Sequence, residues 1–153
     1  MDYIQGLRRK VGNIPLIMVG ASMLALNSKG ELLMIQRTDN DCWGIPGGAM
    51  EPGEHIEETT RRETFEETGM ELGKMQLFDV FSGPELYYRY SNGAEVYNLS
   101  VVYISNDLSG SVMLDPSEHS DMGYFPLDNL PELISPPIQP ILKVIREKLH
   151  KTS

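Results

Sequence analysis

The sequence predicts a single α/β domain that spans residues 1–153. The chain is close to the roughly 150 residues expected of one domain and is long enough to bury a hydrophobic core. Segments rich in β-branched and aromatic residues, typical of strands, stand on both sides of a long run without glycine or proline, which is typical of a helix. Strands that alternate with an internal and a terminal helix indicate an α/β arrangement.

The N-terminal part of the chain predicts a short helix followed by two strands. Residues Asp2–Lys10 carry their apolar side chains on one side of a helix. The apolar segment Ile14–Leu26 is shorter than the roughly 20 residues of a membrane span, so we expect a buried strand and no membrane partner. Asn27–Gly30 is a turn and Glu31–Arg37 a second strand, which predicts an antiparallel hairpin.

The middle of the chain predicts the main helix. Two turns, at Pro46–Gly48 and at Glu51–Gly53, precede Glu54, and no glycine or proline follows until Gly69. Glycine is the residue that most often ends a helix, because it adopts the left-handed conformation without strain. We therefore expect one uninterrupted helix from Glu54 to Gly69.

The second half of the chain predicts several strands and a closing helix. Ser91–Gly93 is a hairpin turn, and Asp115–Asp121 is an acidic loop. Apolar residues at intervals of three and four between Ile138 and Leu149 predict a helix that packs on the sheet, with a homodimer interface as the alternative use of this face. The strands expected here are Met75–Phe81, Tyr87–Tyr90, Glu95–Ser105, Ser111–Leu114 and Tyr124–Leu127.

Charge and cysteine content exclude several classes of protein. The net charge of −9 argues against a protein that grips the backbone of duplex nucleic acid, because such binding needs clustered lysine and arginine. Cys42 is the single cysteine and cannot form an internal disulfide. With no signal-peptide pattern at the N-terminus, we expect a cytoplasmic protein.

Three glutamates share one face of the predicted main helix. Because each helical residue advances by about 100°, Glu63, Glu66 and Glu67 fall within about 100° of one another, whereas Glu57 and Glu58 point elsewhere. Crowded carboxylates repel one another unless a cation lies among them. All the candidate ligands are hard oxygens, so Mg²⁺ or Mn²⁺ fits better than zinc.

The spacing around these glutamates resembles the Nudix box of the Nudix hydrolases. It consists of Gly48, five residues, Glu54, seven residues, and then the run Arg62–Met70, which reads Arg-Glu-Thr-Phe-Glu-Glu-Thr-Gly-Met. Thr64 departs from the pattern, because a bulky aliphatic residue is usual there and packs the helix on the sheet. The resemblance implies a Nudix-type α/β/α sandwich around a mixed β-sheet.

The resemblance also implies roles for individual residues. Glu63, Glu66 and Glu67 would bind the divalent ion together with the carbonyl of Gly47, and Arg62 would steer Glu63. The implied reaction is attack of water on a phosphorus of a nucleoside diphosphate that is linked to another group, such as ADP-ribose, a nucleotide sugar or a nucleoside triphosphate.

The general base and the phosphate contact are less constrained by the sequence. In this family the base is a box glutamate or an acid of a later loop, and Glu118 is the candidate of the acidic loop. His119 beside it has no evident partner in the sequence and receives no role. Arg37, at a strand end, either holds a phosphate in a forked contact or forms a surface ion pair.

Substrate choice depends on cues after the box, and these cues conflict. In the family a proline about fifteen residues later suggests ADP-ribose, and a tyrosine slightly further suggests dinucleoside polyphosphates. The chain has Pro84 as well as Tyr87 and Tyr88, so a dinucleoside polyphosphate hydrolase is the alternative enzyme. A catalytically inactive Nudix-fold protein that binds a ligand as a regulator is the alternative from another class.

Overall fold

The computed structural model describes residues 3–151, so Asp2, where the first predicted helix begins, lies outside the described residues. The helices are α1 (Tyr3–Val11), α2 (Ile56–Thr68) and α3 (Gln139–Lys151), with short 3₁₀ helices at Pro84–Leu86 and Pro136–Ile138. The strands are β1 (Leu16–Ala25), β2 (Leu32–Arg37), β3 (Trp43–Gly44), β4 (Gly47–Ala49), β5 (Glu71–Leu72), β6 (Gln76–Phe81), β7 (Tyr87–Arg89), β8 (Glu95–Ser105), β9 (Leu108–Ser109) and β10 (His119–Phe125).

The main sheet is mixed, as the sequence predicts. Its strand order is β4-β1-β8-β6, and β7 also pairs with β8. β1 and β8 run parallel, with Leu16 beside Val96 at one end and Ala25 beside Ser105 at the other, whereas the remaining pairs are antiparallel. The predicted hairpin turn at Ser91–Gly93 joins β7 to β8. Helices combined with this sheet confirm the α/β sandwich.

β1 and β2 do not form the predicted hairpin. The turn between them exists, because the Gly30 N–H donates to the Asn27 carbonyl at 3.0 Å, but β2 pairs with β10 and β3 in a second sheet. β1 already has β4 on one side and β8 on the other, so it has no free edge for β2. In the described chain the two strands share one isolated bridge, between Leu26 and Leu32.

The predicted strand Ser111–Leu114 is wrong as well. These residues form no strand, and β9 ends before them, where Gly110 turns the chain with a φ of +99°. The Met113 N–H instead donates to the Thr68 carbonyl at 2.8 Å. The segment therefore satisfies a carbonyl at the end of α2, which a helix leaves without an internal partner.

The predicted main helix is present, but it starts two residues late. Glu54 lies in a turn, where its N–H donates to the Glu51 carbonyl at 3.1 Å, and α2 begins at Ile56. The helix ends as predicted at Gly69, which has a φ of +77° and donates its N–H to the Phe65 carbonyl at 2.8 Å. This left-handed residue closes the last turn of α2.

Threonines form the buried face of α2. Thr60, Thr64 and Thr68 are fully buried, and each hydroxyl donates to the carbonyl four residues earlier, at 3.0, 2.7 and 2.6 Å. Each side chain thus meets its own hydrogen-bonding need inside the helix. Thr64, which departs from the usual aliphatic residue, can therefore be buried against β1 and β4 without an unpaired polar group.

The apolar face of α3 is part of the core. Ile141, Leu142 and Ile145 are fully buried in a cluster that includes Leu24 of β1 and Leu32 of β2. The face packs on the sheet as predicted, and its buried residues are not available to a second copy of the chain. Among residues 3–151, no helix is long and apolar enough to cross a membrane.

Candidate active site

Arg62 joins the turn before α2 to the glutamates on the helix. Its guanidinium donates to both carboxylate oxygens of Glu54, at 2.7 and 2.9 Å. Its Nη1 donates to Glu63 at 2.8 Å and to Glu66 at 3.3 Å, and its Nη2 donates to the Ala49 carbonyl at 3.0 Å. Five hydrogen bonds hold this side chain in one orientation, and one of them joins it to Glu63, the glutamate that the Nudix resemblance pairs with Arg62.

Glu54 is the anchor of this arrangement. Besides Arg62, its carboxylate accepts the Glu51 N–H at 2.8 Å and the Thr59 hydroxyl at 3.0 Å. The hydrogen bonds from Arg62 lower the pKa of Glu54 to about 2, so this carboxylate is charged at neutral pH. Because Glu54 is fully engaged by protein groups, it serves the structure of the site and is not available as a ligand.

Glu63 lies against the backbone of β4. A Cβ atom on Gly48 would come within 2.4 Å of the Glu63 carboxylate carbon, so any larger residue at this position would displace that carboxylate. Burial raises the pKa of Glu63 to about 7, and the neighbouring charge of Glu67 adds to the effect despite the hydrogen bond from Arg62. The carboxylate is therefore held in a place where its charge is under-compensated.

Glu67 is held by one backbone and one side-chain group. The Gly47 N–H donates to its Oε1 at 2.7 Å, and the Nε2 atom of His119 lies 3.2 Å from its Oε2. Burial raises the pKa of Glu67, against the lowering effects of His119 and Gly47. His119 is itself buried, and its Nδ1 is an enclosed nitrogen without a hydrogen-bond partner.

The glutamates open into one polar cleft of about 540 Å³. We name it the acidic cleft, and its charged lining is Arg37, Arg62, Glu63, Glu66, Glu67 and Glu118 together with Asp39 and Glu51. Glu118, on the loop before β10, is exposed to solvent at its rim. Glu57 and Glu58 are exposed and outside this lining, which matches the helical angles expected of them.

The donor set of the acidic cleft suits a hard divalent ion. Within residues 3–151, no three histidine, cysteine, aspartate or glutamate side chains already converge as a metal cage. Mg²⁺ does not need a closed cage, because it keeps several waters and binds through one or two carboxylates and the phosphates of a substrate. Such a cation would offset the repulsion between the half-buried carboxylates of Glu63 and Glu67, whose pKa values are raised.

A second cavity of about 390 Å³ adjoins the acidic cleft. Glu63, Glu67 and Arg37 border both spaces. We name the second space the apolar cavity, and its lining includes Ile4, Ile45, Leu86, Tyr88, Tyr90 and Ile138. The rings of Tyr88 and Tyr90 meet edge to face at 4.9 Å. A charged cleft that continues into an apolar and aromatic cavity can hold a molecule with a phosphate end and an aromatic end.

Comparison with known proteins identifies the family. The model of the NUDIX domain matches residues 16–145, which is most of the chain. The chain belongs to the NUDIX domain family. A crystal structure of a MutT NUDIX hydrolase from Burkholderia pseudomallei is similar, with a TM-score of 0.71 and 28% sequence identity over 83% of this chain and 96% of that one. The Nudix prediction made from the box is thereby confirmed.

Two curated relatives are similar over part of their length. An ADP-ribose pyrophosphatase of Methanocaldococcus jannaschii is 32% identical over 111 residues, which are 71% of this chain and 62% of the relative. A putative 8-oxo-dGTP diphosphatase of Bacillus subtilis is 36% identical over 66 residues, 43% of this chain and 44% of the relative. The chain thus spans about half the length of these two curated relatives.

The Nudix fold brings most of the predicted site residues together, but not all of them. Tyr88 lines the apolar cavity, where its hydroxyl accepts a hydrogen bond from Asn40 at 2.7 Å. Tyr87 points to the other face of β7, outside the cavity lining, and its hydroxyl donates to Glu95. Alternation along a strand separates the two tyrosines, which the sequence prediction had treated as a pair.

Arg37 forms the surface ion pair that was one of its two predicted uses, and it lies where a phosphate in the cleft could reach it. It lines the acidic cleft and the apolar cavity, and it also forms a forked ion pair with Asp39, at 2.9 and 2.8 Å. The hydrogen bonds that Arg37 donates to the Asp39 carboxylate raise the pKa of Arg37 above its ordinary value. A phosphate in the cleft would therefore compete with Asp39 for this guanidinium.

His119 is the site residue that sequence reasoning missed. Its partner Glu67 lies 52 positions earlier, so no local spacing links them. One signal existed, because His119 adjoins Glu118, which the sequence had assigned to the cleft. Both residues line the acidic cleft, so the placement of Glu118 there also places its neighbour close to Glu67.

Proposed function

We propose that the protein is a divalent-metal-dependent pyrophosphohydrolase that cleaves a nucleoside diphosphate linked to another group. The observation that carries the proposal is the continuity of the acidic cleft and the apolar cavity, which share Arg37, Glu63 and Glu67. A substrate could place its base in the cavity and its diphosphate in the cleft at the same time. Membership of the Nudix family supports this reaction class.

The glutamates of α2 would hold the metal. Glu63, Glu66 and Glu67, with the carbonyl of Gly47, are the proposed donors. When bound, Mg²⁺ or Mn²⁺ supplies positive charge that offsets the charge on the phosphate oxygens. Arg62 keeps Glu63 and Glu66 in place, because its hydrogen bonds to both carboxylates are braced by the ion pair with Glu54.

Glu118 is the proposed general base. It lies at the rim of the acidic cleft on a loop that can accept a substrate beneath it, and its exposure leaves the carboxylate free to take a proton from water. The water then attacks phosphorus, and the P–O bond of the bridging oxygen breaks. Glu63 is the alternative base, because it is a box glutamate that also lines the acidic cleft.

Arg37 is the proposed contact for a phosphate at the border of the two spaces. Its ion pair with Asp39 is about 40% exposed on both sides, with side-chain values of 38% and 39%. Such an exposed pair is worth little, about 0–1 kcal/mol, so a phosphate dianion can displace Asp39 at small cost. The guanidinium would then bind two phosphate oxygens in the same forked geometry.

The substrate class includes ADP-ribose, nucleotide sugars and nucleoside triphosphates. The two curated relatives are an ADP-ribose pyrophosphatase and a putative 8-oxo-dGTP diphosphatase, which supports ADP-ribose and nucleoside triphosphates as members of this class. Pro84 opens the short 3₁₀ helix whose last residue, Leu86, lines the apolar cavity. Tyr88 lines the same cavity, which keeps a dinucleoside polyphosphate as the second candidate substrate.

A panel of substrates tests the proposal. Purified protein is incubated with ADP-ribose, a nucleotide sugar, 8-oxo-dGTP and a diadenosine polyphosphate, each with Mg²⁺ and with EDTA, and products are separated by chromatography. We expect Mg²⁺-dependent release of a nucleoside monophosphate from at least one of them. Saturable nucleotide binding without turnover of any member would instead favour the ligand-binding regulator.

A further inference from the structure

The helix α1 contributes to the apolar cavity from outside the Nudix match. Ile4 is part of the cavity lining, whereas the family model covers residues 16–145. The chemistry of the acidic cleft depends on groups inside the matched span. A residue outside that span which touches the substrate cavity can alter which molecules bind without altering how the phosphorus is attacked.

Hydrogen bonds from Arg8 and from the Tyr3 N–H tie α1 to neighbouring segments. The Arg8 guanidinium donates to three backbone carbonyls, those of Gly12 at 3.1 Å, Ile14 at 2.5 Å and Glu95 at 2.5 Å. The contact with Glu95 ties the helix to the start of β8, far away in sequence. At the other end, the Tyr3 N–H donates to a carboxylate oxygen of Glu51 at 3.2 Å.

These contacts place the start of α1 beside a residue that borders both spaces. Glu51 borders the apolar cavity as well as the acidic cleft. No residue of α1 is fully buried, so hydrogen bonds contribute to holding the helix in position. Arg8 is the stronger of the two anchors, because its cationic guanidinium meets three acceptors.

We propose that α1 is a specificity wall, in which Ile4 contacts the nucleobase and Arg8 sets how closely the helix covers it. The proposal rests on the proposed function and adds the element that selects the base. Ile4 lines the same cavity as Tyr88 and Tyr90, so a flat aromatic nucleobase would lie among apolar and aromatic groups. A purine covers more of this surface than a pyrimidine does and should gain more from the wall.

Truncation of the wall is the first test. Ile4→Ala should raise KM for the preferred purine nucleotide by about 3–10-fold, since it removes up to three carbons from a partly buried contact. It should leave kcat and the affinity for Mn²⁺ unchanged, and it should lower the preference for purine over pyrimidine. Ile17→Ala is the matched control, because it makes the same truncation at a side chain that is 80% exposed and outside the cavity.

Release of the anchor is the second test. Arg8→Met keeps much of the side-chain length but removes all three hydrogen bonds, so it should shift KM in the same direction as Ile4→Ala, again without a change in Mn²⁺ affinity. Arg8→Lys retains a cationic donor and should restore part of the wild-type KM. Arg9→Ala, an exposed change on the same helix, is the control for general damage to α1.

Nucleotide binding separates this proposal from the proposed function. The dissociation constants of AMP and CMP are measured by calorimetry with wild-type protein, Ile4→Ala and Ile17→Ala, without any turnover. Weaker AMP binding by Ile4→Ala alone supports the wall, even if wild-type protein hydrolyses none of the panel. Equal AMP affinities of Ile4→Ala and the wild type, with the fold intact by circular dichroism, overturn it.

Discussion

The acidic cleft and the apolar cavity share a border, but the chain builds them in different ways. The cleft takes Arg62, Glu63, Glu66 and Glu67 from less than two turns of one helix. The cavity takes its walls from α1, β7, the two 3₁₀ helices and α3, which are distant in sequence. Local spacing therefore fixes the chemical groups of the cleft, whereas tertiary packing fixes the shape of the cavity.

The largest expected effect concerns the cleft. Glu66→Gln and Glu67→Gln each remove a charge from the proposed metal site, so Mg²⁺-dependent turnover should fall by about 10³-fold or more. Glu57→Gln and Glu58→Gln are matched controls on the same helix and should retain wild-type kcat. Steady-state rates over a Mg²⁺ titration measure all four. A control variant as inactive as Glu66→Gln would contradict the division of the helix into two faces.

Glu118→Gln tests the proposed base at the rim of the cleft. If Glu118 takes the proton from water, the variant should lose about 10²–10⁴-fold in kcat and bind Mn²⁺ with unchanged affinity. Rate measurements at saturating metal, paired with Mn²⁺ binding by electron paramagnetic resonance, distinguish the roles. Unchanged turnover would assign the role of general base to Glu63. Loss of Mn²⁺ binding would instead show that Glu118 is a metal ligand.

His119 lines the acidic cleft and contacts the proposed metal ligand Glu67, so it tests a residue that acts through another side chain. His119→Phe removes the group that holds Glu67 and should weaken Mn²⁺ binding by about 10–100-fold, the usual cost of losing a partner of a metal ligand. His119→Gln keeps an N–H donor near Glu67 and should recover part of the affinity. Equal Mn²⁺ affinities of His119→Phe and wild type would show that Glu67 needs no support from this side.

The two tyrosines of β7 compare the cavity with the opposite face of the sheet. Tyr88→Ala removes an aromatic wall of the cavity and should raise KM for the preferred nucleotide by about 10-fold, with little change in kcat. Tyr87→Ala, the same change one residue earlier, should leave KM unaltered because Tyr87 lies outside the cavity lining. The KM values of the two variants are obtained from Michaelis–Menten curves at saturating Mg²⁺. Similar KM values would mean that the cavity does not bind the nucleobase.

The smallest expected effect is on stability at low pH. Arg62 lowers the pKa of Glu54 from the ordinary 4.5 to about 2, so the folded state favours the charged carboxylate. The resulting stability is present above pH 4.5 and is lost as pH falls toward 2. Glu54→Gln should therefore destabilise the protein at pH 7 and approach the wild type as pH falls. Urea unfolding at several pH values in EDTA gives the free energy of unfolding of both proteins. A difference in this free energy that does not change with pH would contradict the prediction.

The sequence predicts the cleft better than the rest of the molecule. Glu63, Glu66 and Glu67 follow from helical geometry, and Gly69 ends α2 where a glycine is expected. The β1–β2 hairpin fails because β1 pairs with β8, about 80 residues away, on one edge and with β4 on the other. Local turn signals carry no information about that competition.

The same limit explains the missed contacts. His119 reaches Glu67 only because β10 pairs with β2, and Tyr87 leaves the site because the register of β7 on β8 turns it outward. Ile4 enters the cavity through anchors of α1 that no motif describes. Each of these contacts depends on which distant segments pair in the fold. A single sequence gives no direct measure of such pairing.

A metal titration with the substrate panel tests the central claim most directly. Wild-type protein is titrated with Mg²⁺ from EDTA to saturation against each nucleotide, and Mn²⁺ binding is measured on the same sample. We expect turnover of a nucleoside-diphosphate-linked substrate to be absent in EDTA and to rise as the metal site of the acidic cleft, measured by Mn²⁺ binding, becomes occupied. Turnover that is equal in EDTA and in Mg²⁺, or a fully occupied metal site with no hydrolysis of any panel member, would contradict it.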